Sequence, residues 1–371
     1  MSNRYVFFIT AIILAAFFFR CLAVNSPDGH VVDELLYVPA AKLLLEGKID
    51  EAKILGSEPF LGSAIIAASI MIFGDNTVGW RIPSLILGTG SLFVFFLLAR
   101  EIISGRAALL STFLLSISFL HTIHSRIAMV DILFLFFMLT AFYFVFAAVR
   151  LERASDWNWI FAGIFFGLSV STKITAALGV ITILLFLILI KKNNFNPKIL
   201  IFVILIPGLI YITSYTPYFL CGHSINEWVG VQTHLFLFQT TVERYNYISY
   251  PAEWFLLEKT TYHDYRHFRI YAFANPFIWW LFIPAFISII RNFEFKREDL
   301  LIVIWFFTFL LPLFFLPKCH IFYAVPLIPV MCLAAGKFLA KLDDRYIKIF
   351  MVSAVIVYMV VYPLLSCIPL Y

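Results

Sequence analysis

A chain of 371 residues with 62% hydrophobic and only 13% charged residues, and a mean hydropathy of +0.94, cannot cover its surface in water; a soluble domain carries about a quarter charged residues. Lipid is then the solvent, where only helices and closed barrels satisfy the backbone, and apolar runs without period-two alternation exclude the barrel. The net charge of +5 without a basic run points to no nucleic-acid partner. The fold class expected is an all-α polytopic membrane protein, a single transmembrane domain over 1–371.

The first apolar run, Tyr5 to Phe19, is followed by Arg20-Cys21-Leu22 rather than a small-residue cleavage site, so it reads as a retained anchor over 5–24. A long loop, 25–78, comes next. Within it, apolar positions recur with helical period from Glu34 to Glu46, before Gly47, and predict a short helix lying on the membrane. The run 61–73 is too short to span and predicts a second such helix, because a span needs about 20 apolar residues. Further spans are expected at 79–99, 107–123, 131–149, 157–172, 174–190, 199–219, 272–290, 299–316, 320–340 and 347–366, eleven in all. A second long outer loop covers 220–271.

Basic residues orient the bundle. If 61–73 does not cross, the inner connections are 100–106, 150–156, 191–198, 291–298 and 337–348; with Arg4 they hold fifteen of the 27 basic residues against eight acids, counting Asp299 at the border of the fourth. This is the positive-inside pattern, with the N-terminus cytoplasmic and the C-terminus outside. Letting 61–73 cross would send every later basic loop outside.

The charges outside those inner loops gather at one level. Asp33 and Glu34 open the first juxtamembrane helix, where Asp33 could be no more than an N-cap. Arg20 stands at the outer end of the first span, Glu58-Pro59 before the second surface helix, Arg81 at the start of the second span, Arg126 and Asp131 in the turn 121–131, and Lys173 between the fifth and sixth spans. Each alone reads as a snorkelling or capping residue. Together they mark an interfacial reaction site on the extracytoplasmic face. The eight histidines are dispersed, no metal ligand set is evident, and a metal-independent reaction without cofactor is expected. The five cysteines lack metal spacing; Cys221 and Cys319 could bridge two outer loops, but unpaired packing is the expectation. Trp254, Trp279, Trp280 and Tyr245 read first as interfacial belt residues.

Taken in order, Asp33-Glu34, Glu58-Pro59-Phe60-Leu61-Gly62, Gly79-Trp80-Arg81-Ile82-Pro83 and Arg126-Ile127-Ala128-Met129-Val130-Asp131 resemble the protein O-mannosyltransferases and, more distantly, the lipid A aminoarabinose transferases, within the GT-C glycosyltransferases. Gly167 to Lys173, Tyr247 to Trp254, Asn275 to Trp280 and Phe322 to Pro329 resemble later landmarks of that family. The resemblance implies inverting transfer of a sugar, a hexose such as mannose, from a polyprenyl or dolichyl phosphate to a hydroxyl on a protein, glycan or lipid. It implies Asp33 as the catalytic acid-base residue with Glu34 beside it, and Asp131 as a second outer-loop acid. Arg20, Tyr37, Glu58, Arg81, Arg126 and Lys173 would bind substrate, Lys173 through the lipid phosphate. Where the family pattern carries a lysine this chain has Ser63, which shifts the expected phosphate contact to Arg126 and Lys173. The chemistry agrees: a base must take the acceptor proton and cations must meet the departing phosphate. A transporter or lipid flippase is the rival reading, but no internal repeat is evident and the charges gather at one edge rather than mid-bilayer.

Overall fold

The computed structural model describes residues 3–56, 58–150, 156–190, 197–240, 249–257, 260–263, 269–316 and 319–367. In order these are α1 (Asn3–Cys21), α2 (Glu34–Leu45), α3 (Ile49–Gly56), α4 (Phe60–Phe73), α5 (Thr77–Ile102), α6 (Gly105–Ser116), α7 (Phe119–His124), α8 (Val130–Arg150), α9 (Asp156–Thr172) and α10 (Ala177–Ile190). There follow α11 (Lys198–Leu200), a π-helical stretch (Ile201–Leu205), α12 (Ile206–Thr213), α13 (Thr216–Leu220), α14 (Ile225–Thr240) and α15 (Pro251–Phe255). An antiparallel hairpin, β1 (Thr260–His263) and β2 (Arg269–Ala272), precedes α16 (Pro276–Arg291), α17 (Arg297–Leu310), α18 (Leu327–Leu339) and α19 (Asp344–Ser366).

The chain is a helical, multi-pass membrane protein. Among the described residues, five stretches are long and apolar enough to cross a bilayer: Arg4–Cys21, Thr77–Ile102, Val130–Val149, Arg297–Phe315 and Asp344–Ser366. Six shorter apolar helical stretches pack among them, including Phe60–Phe73. The shorter runs arise because several expected spans are broken. The run 107–123 stops at Ile117, where Ser118 accepts from the His121 amide and starts the separate helix α7. The run 320–340 begins with a 3-10 turn, Ile321–Ala324, and becomes α-helical only after Pro326. The run 272–290 begins as the end of β2, and Asn275 caps α16.

The first outer loop is a folded layer rather than a loop with two helices. α3 adds a third helix, and α2 and α4 pack on each other and on α5. Gly62 sets the spacing of that layer. A Cβ there would stand 2.5 Å from Val130 Cγ1, so α4 can lie against the start of α8 only with glycine at this position. That contact brings Glu58, just ahead of α4, towards Asp131, in the first turn of α8.

The turn 121–131 also departs from expectation. It is not an exposed connection: His121, His124, Ser125, Arg126, Ile127, Ala128, Met129 and Val130 are all buried. It plugs the bundle beneath the layer of α2 and α4. Trp254 and Trp279 are likewise core residues, packed edge-to-face, rather than belt residues, because Trp254 donates to Ser249 Oγ and the aromatic bodies are fully enclosed. Trp280 is exposed, and Tyr245 lies outside the described residues. No disulfide joins the five cysteines; Cys221 is exposed and Cys319 buried.

At the far end of the bundle, basic residues pair across helix ends. Arg106 at the start of α6 meets Asp344 at the start of α19 at 2.5 Å, and Lys337 at the end of α18 meets Glu298 and Asp299 at the start of α17.

Candidate active site

The polar residues singled out in the sequence separate into two groups when folded. The first group is structural. Arg81 makes five hydrogen bonds: Nε to Glu34 Oε1 (2.8 Å), one terminal nitrogen to the carbonyls of Val24 and Pro27, and the other to Glu34 Oε2 (2.9 Å) and the Gly29 carbonyl. A guanidinium has five N–H donors, and all are used. Glu34 is saturated in turn. Besides the two bonds from Arg81, it accepts from the Val31 amide (2.9 Å) and the Ala128 amide (2.6 Å), which fills the four acceptor positions of a carboxylate. Both side chains are fully buried. Glu34, expected as catalytic, and Arg81, expected to bind substrate, thus form a saturated clamp that ties α2 to α5 and the buried turn.

Arg126 and Arg20, also expected to bind substrate, are likewise taken up by hydrogen bonds within the fold. Arg126 donates to the carbonyls of Phe19, Arg20, Leu22 and Ala23 and to the Tyr362 hydroxyl, so it caps the C-terminus of α1, where a cation meets the helix dipole. Arg20 donates to the carbonyls of Ala16 and Ser116 and to His121 Nδ1 at 2.9 Å. Because arginine only donates, His121 accepts on Nδ1 and gives its Nε2 proton to Ser91 Oγ at 2.8 Å, which fixes a neutral imidazole.

The second group converges. Lys173 Nζ lies 2.9 Å from Asp131 Oδ1 and 3.8 Å from Glu58 Oε1, with all three side chains buried. Its ammonium stands over the rings of Phe322 and Tyr323, at 5.2 and 5.5 Å from their centroids. Burial works against its charge, but Asp131 and Glu58 outweigh that and hold it protonated above the usual lysine range. Among the described residues, Asp131 provides the one acceptor within hydrogen-bond distance of its three N–H donors, which leaves donors for a ligand. Asp131 Oδ2 and Glu58 Oε2 are buried without a hydrogen-bond partner, an arrangement that native proteins avoid away from functional sites.

Tyr37 and Tyr323 join Asp33 to this cluster. The Tyr37 hydroxyl is pushed well up, first by burial and then by the charges of Asp33, Glu58 and Asp131. The Tyr323 hydroxyl lies within electrostatic reach of Lys173, Glu58, Asp33 and Asp131. Asp33 itself is half-buried, and its side chain makes no cap bond to α2, so the plain capping role is not the one it plays. Tyr323 belongs to the site although the sequence marked its segment only as a landmark; its signal was the break in helicity before Pro326.

A cavity of about 120 Å³ opens from the cluster, with Asp131, Lys173 and Tyr323 at one end and Leu178, Phe309 and Leu313 among its apolar walls. One ammonium, Lys173, and one carboxylate, Asp131, thus line an otherwise largely apolar chamber, with Glu58 3.8 Å from the same ammonium. Two acids beside one lysine cannot all be ionised cheaply, and Glu58 yields: burial first, and then Asp131, raise it to about 7 against the pull of Lys173, Lys53 and the Ile174 amide. A carboxyl raised on folding stabilises the protein below its unfolded value and loses that contribution as pH climbs through its folded value. Glu58→Gln should therefore gain thermal stability relative to wild type as pH is raised from about 5 to about 8, followed by thermal unfolding in detergent; a constant difference would contradict it.

Residues 57–216, less than half of the chain, match the family described as dolichyl-phosphate-mannose-protein mannosyltransferase. No curated protein matches the sequence. Among solved structures, the Pmt1-Pmt2 protein O-mannosyltransferase complex of S. cerevisiae bound to the sugar donor superposes with a TM-score of 0.84 at 11% identity, over 99% of this chain and 91% of that one. ArnT of Cupriavidus metallidurans bound to undecaprenyl phosphate gives 0.68 at 16% identity, over 96% of this chain. The Archaeoglobus fulgidus oligosaccharyltransferase AglB, in complex with an inhibitory peptide and a dolichol-phosphate, gives 0.64 at 11%, over 99%. This chain spans 64% of the ArnT chain and 56% of AglB. At these identities the likeness is one of fold. The chain thus shares the fold of these mannosyltransferase, ArnT and AglB structures, and its residues 57–216 are similar to the mannosyltransferase family.

Proposed function

We propose that the chain transfers a sugar, a hexose such as mannose, from a polyprenyl or dolichyl phosphate to a hydroxyl acceptor on the extracytoplasmic face, with inversion at the anomeric carbon. The observation that carries this reading is the Lys173 ammonium held by Asp131 at the mouth of an apolar chamber, with Asp33 in the same electrostatic neighbourhood. An isoprenoid phosphate has the matching character, an apolar tail with an anionic head. Superfamily members of the same fold are bound to undecaprenyl phosphate, to a sugar donor and to a dolichol-phosphate, which supports the choice of donor. The sidedness rests on the charge pairs of Arg106 and Lys337, which sit at helix ends opposite those that carry the site, as positive-inside sorting requires.

In the reaction, Asp33 takes the acceptor hydroxyl proton as that oxygen attacks the anomeric carbon. The bond from that carbon to the phosphate oxygen breaks, and the departing phosphate is met by the N–H donors of Lys173 that Asp131 leaves over. Glu34 and Arg81 hold the helix that presents Asp33. A protein Ser or Thr, a glycan and a lipid all offer the hydroxyl that the reaction requires of its acceptor.

The direct test incubates purified protein with radiolabelled polyprenyl-phosphate mannose and a membrane extract as acceptor source. Label passing from lipid to a conjugate is the expected result, and a wild-type protein that moves none would remove the reading. The same assay in EDTA should run at the untreated rate, because the Lys173 ammonium occupies the place between Asp131 and Glu58 that a divalent cation would take. Loss of turnover on chelation, restored by added metal, would contradict that step.

A further inference from the structure

Beyond Glu58, on the side away from the apolar chamber, lies a cluster that the reaction has not used. Phe60 meets the Tyr215 ring edge-on at 5.2 Å, and Tyr215 meets the Trp228 ring at 5.9 Å. Trp228 and Gln232 stand four residues apart on α14, so they share the face laid on this cluster. The Tyr211 hydroxyl donates to Gln232 Oε1 at 2.5 Å and lies 3.2 Å from the Tyr215 hydroxyl. Both tyrosine hydroxyls are within electrostatic reach of Glu58.

Three polar atoms here are buried without a hydrogen-bond partner: Trp228 Nε1, Gln232 Nε2 and Glu58 Oε2. Two are pure donors and the third is a carboxyl oxygen. A set of this kind calls for a ligand that both accepts and donates hydrogen bonds, and the aromatic faces call for one with an apolar face as well. An anion would meet Glu58, and an apolar group would leave all three unpaired. A pyranose ring has hydroxyls of both capacities and a face of C–H groups.

We propose that the cluster of Tyr211, Tyr215, Trp228 and Gln232, with Glu58, is the subsite for the pyranose ring of the lipid-linked donor. The indole and amide N–H groups donate to ring hydroxyls, and Glu58 accepts from one. The order of the parts along the molecule agrees. The chamber walls end at Asp131 and Lys173, Lys173 reaches Glu58, and Glu58 adjoins the aromatic cluster. Tail, phosphate and sugar would then lie in the order in which such a donor is built. The ring enters by an outward shift of α14, whose outer face is exposed and whose N-terminal end is tied by Glu227 and Asp50 through His223. This assignment rests on the polyprenyl-phosphate donor reading.

The test measures binding in nanodiscs to polyprenyl phosphate, polyprenyl-phosphate mannose and polyprenyl-phosphate glucose. Wild type should hold a sugar-bearing lipid roughly tenfold more tightly than the bare phosphate, as about two added hydrogen bonds allow. Trp228→Phe keeps the ring and removes the N–H; it and Gln232→Leu should each cut that preference about fivefold and leave binding of bare polyprenyl phosphate within about twofold. Equal weakening for all three lipids, no weakening, or an effect confined to acceptor KM would overturn the subsite. If bare polyprenyl phosphate does not bind wild type at all, the donor reading itself falls. Should a variant unfold, a photoreactive mannose lipid must label wild-type α14 around residues 228–232, and labelling elsewhere overturns the assignment.

Discussion

Asp33→Asn should lower transfer by about 10²–10⁴-fold with little change in thermal stability, which is the scale of a lost general base. The side chain of Asp33 makes no cap bond to α2 and is only half-buried, unlike its neighbour Glu34. The adjacent Glu34→Gln should behave in the opposite manner. All four partners of Glu34 are N–H donors: two from Arg81 and the amides of Val31 and Ala128. An amide nitrogen in that place faces donors, and the Arg81 charge loses its counterion in a fully buried setting. Breaking a buried pair by removing one partner costs about 3–5 kcal/mol. Transfer and thermal unfolding measured on both variants separate the roles. A stable but inactive Glu34→Gln, or an unfolded Asp33→Asn, would reverse the assignment.

Lys173→Met should show both effects at once. It leaves Asp131, whose Oδ2 is already without a partner, and Glu58 together and uncompensated in a buried site, a cost of about 3–5 kcal/mol. It also removes the cation that meets the leaving phosphate, worth about 10²–10³-fold in rate on the scale of a lost oxyanion donor. The double variant Lys173→Met with Asp131→Asn divides the two contributions. It should recover much of the stability, because the stranded charge is gone, yet none of the activity. Contacting residues of this kind couple by about 0.5–3 kcal/mol in such a cycle. If the double variant regained transfer, Lys173 would be a structural counterion and nothing more.

The parts that were legible in the sequence are those that depend on local composition. The run at 79–99 became α5, the 61–73 segment became a short helix too brief to span, and Glu34 to Leu45 became α2. Two features of the fold escaped for a local reason as well: Ser118 begins a new helix inside an apolar run, and a cap is hard to see where every neighbour is apolar. The third helix of the outer layer, Ile49–Gly56, is short and polar, and carries no strong period.

The site was legible as a set but not in its division of labour. Asp33, Glu58, Asp131 and Lys173 share one electrostatic neighbourhood, while Arg20, Arg81 and Arg126 bond to backbone carbonyls, His121, Glu34 and Tyr362. No sequence pattern announces this, because the acceptors that use up a guanidinium are mostly backbone carbonyls, which every residue has. Arg126 finds them at Phe19 and Arg20, 107 and 106 residues away.

Composition alone determined that lipid is the solvent and helix the fold, since no other backbone survives in hydrocarbon at this hydropathy. Charge counting gave one level to the polar residues and an expected side for them. Which of those charges remains able to act was decided only by the tertiary structure. A buried donor or acceptor is spent or available according to what long-range packing sets within about 3 Å of it, and that is a property of the fold rather than of the residue.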